Sequence, residues 1–411
     1  MSKKKSVLIG TMITAGSAVG AGMFSLPIVA AGMWFSLALV NFGIIWLISY
    51  LSALMILEVC LEYPIGASFN TFVTDILGKG GSIIMGLSVC FMLYILLYAY
   101  FSAFGNMAIH TLGWEEAGAE HYWLQGLLGL TLGMLLATIV WISTAFVGRM
   151  AMILVIGMVI SFFISMSGAL PTISVNNLFA AAPTGDNYFP YLWMGLPYFI
   201  TSFGFASIVP SLYKYYGKDL SAIKGSLFFG SLIALFVYVI WIGVTFGVIP
   251  RNDFIAINAA GGNVGQLVSA LEQKIGNTTI QRAINFFSNF AIISSFLGVG
   301  LSLFDYIADR FKLPDTSKGR FITALITFLP AGLASFFFPN GFIAAIGYAG
   351  FVLYIAFFLI PFLMVWKKRA TNKSTFYQLS GGKMTLLFVL AASTITAFCK
   401  VLSIVDFLPT F

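Results

Sequence analysis

The chain has 411 residues, 60% hydrophobic and 9% charged, with a net charge of +7. Soluble domains carry about 25% charged residues, so this chain cannot cover a water-facing surface, and most of it has lipid for solvent. Cys60, Cys90 and Cys399 lie in apolar runs without metal-ligand spacing or a disulfide framework, and His110 and His121 fit no metal motif.

Behind a basic start (Lys3, Lys4, Lys5) the first apolar run continues as a full span, so no cleavable signal peptide is expected. Apolar stretches of about 20 residues predict spans at 8–32, 35–60, 81–110, 124–144, 150–170, 191–212, 222–249, 279–304, 320–338, 341–366 and 384–408. They are continuous rather than alternating, and unpaired backbone cannot face lipid, so the expectation is an all-α polytopic membrane protein with eleven transmembrane helices. With the N-terminus in the cytoplasm, all but four of the 21 Lys and Arg residues fall on the cytoplasmic side. The four are Arg251, Lys274, Arg282 and Lys400. This asymmetry predicts a cytoplasmic N-terminus and a periplasmic C-terminus, and it explains the positive charge without nucleic acid. The outer loop 250–278 is long, and Val264, Leu267, Val268, Leu271 and Ile275 share one face of a short amphipathic helix there, either a surface helix or an external lid.

Two spans are interrupted by small residues. The first reads Ala15-Gly16-Ser17-Ala18-Val19-Gly20-Ala21-Gly22-Met23 before Pro27, and the sixth reads Ser202-Phe203-Gly204-Phe205-Ala206-Ser207 before Pro210. Glycine weakens a helix and proline removes a donor, and unwound backbone in a membrane is tolerated where it lines a cavity or is packed in protein. A broken helix offers N–H groups to an anion and carbonyls to a cation, and an amino acid zwitterion needs both. Close helix packing through a pattern such as Gly16–Gly20 is the plainer explanation for one such span. Two of them, at positions one and six of a chain dividing as five plus five spans, favour a binding site. Glu58 and Asp305 are carboxylates near span ends, where they either serve a proton path or pair at the interface. Tyr94 and Tyr98 share a face of the third span and are candidates to bind a carboxylate or wall an aromatic pocket, with packing as the alternative. Asn289, Ser294 and Ser295 lie mid-span in the eighth.

There is no phosphate-binding loop, nucleophile elbow, metal-binding His/Glu motif or dinucleotide fingerprint, which argues against an ATP-driven pump and against an enzyme. A channel would show a polar stripe or charged ring, and none stands out.

Gly20-Ala21-Gly22-Met23-Phe24-Ser25-Leu26-Pro27, Tyr63-Pro64-Ile65-Gly66-Ala67-Ser68-Phe69-Asn70, Ser202-Phe203-Gly204-Phe205, Lys214-Tyr215-Tyr216-Gly217-Lys218, Phe287-Ser288-Asn289-Phe290, Leu303-Phe304-Asp305-Tyr306 and Phe338-Pro339-Asn340-Gly341-Phe342 resemble the hydroxy/aromatic amino acid permeases over essentially the whole chain. The tryptophan permeases are most similar, then the tyrosine permeases. The resemblance implies a leucine-transporter-type fold: inverted five-helix repeats over 8–170 and 191–366, with an extra helix at 384–408. It implies a secondary symporter in the bacterial inner membrane that imports an aromatic amino acid, tryptophan first and tyrosine next. Sodium coupling, or a serine/threonine substrate, is the alternative. No cofactor is implied beyond a co-transported proton or sodium, and no obligate protein partner. By analogy, the N–H groups of Ala18, Gly20 and Gly22 would hold the substrate carboxylate. Phe203 and Phe205 would enclose its side chain, with Ser202 and Gly204 at the same break. Carbonyls of Gly16 and Val19 with the Ser294 and Ser295 hydroxyls would form a cation site. Members usually carry His at the place of Ala206 and Lys at that of Met158. Here either another group, with Asp305 the candidate, carries the proton, or sodium uses the site at Gly16, Val19, Ser294 and Ser295.

Overall fold

Short polar residues set the starts of the helices by accepting hydrogen bonds from otherwise unpaired N–H groups. Ser6 caps α1 (Val7–Ala18), Ser68 caps α4 (Phe69–Leu112) and Ser143 caps α7 (Thr144–Ala169). Asp219, Asn263, Asn277 and Thr316 do the same for α11 (Leu220–Val248), α13 (Val264–Lys274), α14 (Thr278–Phe311) and α15 (Ser317–Phe337). The computed structural model describes residues 6–180, 187–371 and 377–411. The other helices are α2 (Ser25–Ala30), α3 (Trp34–Cys60), α5 (Glu115–Glu120), α6 (Tyr122–Ile142), α8 (Val175–Leu178), α9 (Phe189–Ser202), α10 (Val209–Tyr216), α12 (Asp253–Ala259), α16 (Phe342–Tyr354), α17 (Ile360–Thr371) and α18 (Gly382–Ile404).

Among the described residues, ten helical segments are long and apolar enough to cross a membrane, or eleven with the bent pair formed by α1 and Ala21–Ala30. The chain is therefore an all-α polytopic membrane protein. All eleven expected stretches fall on helix, with shifted ends. The third span belongs to a longer helix that begins at Phe69, and Gly78 (φ 79°, ψ −175°) turns its first two turns aside in a conformation that favours glycine. The tenth span runs on to Thr371 through a π-helical turn at Ile355–Leu359.

Tyr216 donates to the Ser6 carbonyl, so α1 begins beside the end of α10, on what we term the near face. Also on this face, Glu58 accepts both Arg369 Nε (2.7 Å) and Nη2 (2.6 Å) and the Leu379 N–H, tying α3 to α17 and to the segment before α18. Glu58 is thus a paired structural carboxylate. At the far face, α13 buries Val264, Leu267, Val268, Leu271 and Ile275 completely or nearly so. A side chain on Gly265 would come within 2.7 Å of the Asn106 carbonyl of α4, so α13 lies directly on that helix. His110 meets Glu272 at 3.1 Å, and Gln281 donates to the Glu272 and Ile275 carbonyls. The amphipathic helix is thus packed on the bundle through its apolar face.

Two of the four bases expected on the outer side are buried within the protein. Arg251 donates to the Ala31 and Gly32 carbonyls at the turn between α2 and α3, and Lys400 lies within α18. Leu87, Ile142, Ile153, Phe338 and many other large apolar side chains are exposed, which suits lipid and not water.

Candidate functional site

Both interrupted spans are broken where the sequence predicts. In the first, Val19 donates to Ala15 and closes α1, and the chain then extends through Gly20 (φ −163°, ψ −166°) into a 3-10 turn at Ala21–Phe24. The two halves meet at 49°. In the sixth, α9 stops at Ser202, Phe203 leaves the helical region (φ −98°, ψ 32°), and a 3-10 turn at Gly204–Ile208 leads into α10 with Pro210 in its first turn.

The breaks lie against each other. The Tyr238 hydroxyl of α11 is 2.7 Å from both the Ala18 carbonyl and the Ser202 carbonyl, and shares its proton between the last turns of two half-helices. A side chain on Gly22 would reach the Ser202 hydroxyl at 3.9 Å. From α14, Ser295 accepts the Ala21 N–H at 3.0 Å, and its hydroxyl lies 2.8 Å from where a Gly20 Cβ would be. The first N–H groups of a helix have no intrahelical acceptor. Met23 donates to Gly20 and Ala21 to Ser295, which leaves the N–H groups of Gly20 and Gly22 as donors at the mouth of the 3-10 turn. Ala18, Val19, Gly20, Gly22, Ser294, Ser295 and Gly204 are half-buried, so the break keeps some accessible surface.

The predicted residues divide by position. Ala18, Gly20, Gly22, Ser202, Gly204 and Ser295 lie at the paired breaks. Phe203 is buried behind them, edge-on to Tyr238 at 5.2 Å and against Phe42, and Phe205 is fully buried. Ser294 donates to Ala291 of its own helix, so the two adjacent hydroxyls serve different partners. Gly16 sits on an exposed flank with open space around it, and Met158 is buried in α7. Tyr94 and Tyr98 are not brought to the break. Their hydroxyls donate to the Ile326 and Phe338 carbonyls, and the rings line an apolar cavity of about 630 Å³ between α4 and α15. Asp305 is exposed ten residues beyond Ser295, about 15 Å along α14.

Three residues of the site escape the sequence reading. Tyr100, also on α4, is buried, with its phenol beside Ser295. Tyr238 caps both breaks. Trp241, one turn on, donates to the Met23 carbonyl and packs with Phe24 and Phe287 as an aromatic cluster beyond the first break. The available signal was a polar hydroxyl or indole N–H inside an apolar run, which demands a buried partner.

An exposed polar flank leads away from the breaks toward the near face. It comprises Gly16 and Ser17 on α1, Ser207 and Ser211 on the sixth span, and Gly298, Ser302 and Asp305 on α14. On the far side α13 packs over α4.

The fold defines a polytopic membrane protein in which two broken spans meet inside the bundle. The model of the tryptophan/tyrosine permease family matches residues 3–400. A tryptophan-specific transport protein of Pseudomonas aeruginosa (strain UCBPP-PA14) is 42% identical over 410 residues, covering 100% of this chain and 98% of that protein. A tyrosine permease of Enterobacter agglomerans is 38% identical over 409 residues, covering 98% of each. A low affinity tryptophan permease of Escherichia coli (strain K12) is 37% identical over 411 residues, covering 100% of this chain and 98% of that protein. The chain belongs to the tryptophan/tyrosine permease family, whose members transport small amino acid substrates and are not enzymes.

Proposed function

We propose that this permease is a secondary active symporter importing L-tryptophan, and tyrosine less well, across the bacterial inner membrane on the proton gradient. The observation that carries this reading is the meeting of the two breaks. The Gly20 and Gly22 N–H groups, the Tyr100 phenol and the Ser295 hydroxyl form a donor set suited to a carboxylate, beside the aromatic cluster of Phe24, Trp241 and Phe287. The relatives, which are tryptophan and tyrosine transporters, supply the substrate class.

The near face is cytoplasmic on this reading, because it carries most of the Lys and Arg residues. The helices from α1 to α7 and from α9 to α17 are then the two inverted repeats, and α18 is the extra span. The exposed polar flank and α13, as a closed outer lid, correspond to the inward-facing stage of an alternating-access cycle. The ion biases that cycle by stabilising the loaded states unequally.

The test is uptake of radiolabelled tryptophan into proteoliposomes under an imposed proton gradient, with unlabelled tryptophan, tyrosine, phenylalanine and serine as competitors. Accumulation above the external level, blocked best by tryptophan, is expected. Accumulation of serine instead would remove the substrate assignment, and dependence on a sodium gradient at fixed pH would remove proton coupling.

A further inference from the structure

Among the described residues three charged side chains are buried: Glu58, Arg251 and Lys400. Glu58 has Arg369, and Arg251 has the Ala31 and Gly32 carbonyls. Lys400 is 5% exposed and makes no ion pair or hydrogen bond within the described residues. Its ammonium is instead held by rings, 4.4 Å from the Tyr348 centroid and 5.8 Å from that of Tyr198. The pocket is built for it. A side chain on Gly347 would lie 3.0 Å from the Lys400 nitrogen and 2.9 Å from the Tyr198 ring, so the absence of one makes the room.

An intramembrane charge without a counter-charge is costly, and ring faces recover only part of that cost. The charge such an amine carries therefore depends on whether the rings stay where they are. Tyr348 stands on α16 and Tyr198 on α9, the outer half of the broken sixth span. The Tyr198 carbonyl accepts the Ser202 hydroxyl, and the Ser202 carbonyl accepts Tyr238, which also caps the first break. One half-helix therefore joins the paired breaks to the ammonium.

We propose that Lys400 is the proton-binding site of this permease. Its amine takes a proton from water when the outer half of the sixth span stands away, holds it against Tyr198 and Tyr348, and returns it to water later in the cycle. This rests on the proton-coupled reading above and gives it a site. Met158 and Ala206, in the fifth and sixth spans, cannot titrate, and Asp305 lies exposed away from the break.

The elements packed on α18 are α3, α9, α16, the π-helical turn and α17. Of the titratable groups on them, the Tyr198 and Tyr348 phenols face the ammonium, and Cys399 is its neighbour on α18. The Glu58–Arg369 pair of α3 and α17 lies near the start of α18, about 27 Å along the helix from Lys400.

The experiment compares wild type, Lys400→Met and Lys400→Arg in proteoliposomes. It reads tryptophan accumulation under a proton gradient, tryptophan-evoked proton flux with a trapped pH dye, and exchange at equal tryptophan concentrations. Methionine fills the pocket without charge, and arginine keeps a charge that never dissociates in proteins. Both variants are expected to lose accumulation by about tenfold or more and to lose proton flux, while exchange stays within about twofold, because exchange needs no net proton release. Coupled accumulation by Lys400→Met at the wild-type level would overturn the proposal, as would loss of exchange in both variants, which would make Lys400 structural. Tryptophan accumulation by the wild type without proton flux would remove the proton reading itself, and Lys400 with it. Coupling intact in the wild type and in Lys400→Met removes only Lys400.

Discussion

The backbone N–H of Ala21 in the first span donates to the Ser295 hydroxyl of α14 at 3.0 Å. The contact fixes the direction of the extended link through Gly20, and it explains why that link carries no side chain. A Cβ at position 20 would stand 2.8 Å from the same hydroxyl. The dihedrals of Gly20 are ordinary extended backbone, so proximity and not strain selects glycine here.

Gly20→Leu should therefore abolish tryptophan binding while leaving insertion intact, because the spans on either side are unchanged. Ser295→Ala keeps the space and removes the acceptor, and should weaken binding less, by about 0.5–1.5 kcal/mol. Scintillation-proximity binding on purified protein, with size-exclusion profiles as the check on folding, gives the comparison. Wild-type binding by Gly20→Leu would show that the substrate lies elsewhere.

Tyrosines of α4 and α11 give a sharper contrast. Tyr238→Phe strips the shared proton from the Ala18 and Ser202 carbonyls in a fully buried position, at a cost of about 1–3 kcal/mol. It should lower both thermal stability and uptake. Tyr94→Phe removes a cap on the Ile326 carbonyl, which Pro330 leaves without its helical donor, and should lower stability slightly with uptake within about twofold of wild type. Parallel uptake and melting assays on the two variants decide whether the α11 tyrosine or the α4 tyrosine belongs to the site.

These tyrosines also mark what the sequence can and cannot tell. Span existence follows from apolar length alone, and both breaks follow from glycine and proline, because each effect is local. Helix facing is different: α4 is apolar on every side, so the spacing that pairs Tyr94 with Tyr98 does not say which neighbour they meet. Tyr100, about 200° round the helix from Tyr98, is the one beside Ser295. Long-range pairing is equally hidden. Glu58 and Arg369 are 311 residues apart in sequence, and nothing in either stretch names the other. Lys400 counts as an outer base in a topology tally, and only the packing of α18 on α9 and α16 shows that it is inside.

The Glu58–Arg369 pair is bidentate, and Glu58 is 4% exposed, so removing one partner leaves the other charge without compensation. Glu58→Met should destabilise the protein by about 3–5 kcal/mol, and so should Arg369→Met. The double variant Glu58→Met/Arg369→Met leaves no stranded charge and should recover part of the loss, although the Leu379 N–H loses its acceptor. Thermal unfolding of the three variants in one detergent measures the coupling. Strictly additive losses would mean that the two side chains do not act as a pair.

The lid offers the test of the cycle. Its seat depends on Gly265, since a side chain there would meet the Asn106 carbonyl at 2.7 Å, and backbone cannot move aside as a flexible side chain can. Gly265→Val should lift the start of α13 while the end near Lys274 stays held by the Lys274–Asp253 pair at 2.9 Å and by Gln281. Hydrogen exchange over Val264–Ser269 should then rise well above that of α14, and uptake should fall because the far side no longer seals. Tryptophan binding at the breaks should persist, since no residue of α13 takes part in them. Unchanged exchange with normal uptake would mean that α13 is a surface helix with no part in closure. Raised exchange with normal uptake would show that the lid moves freely but does not gate.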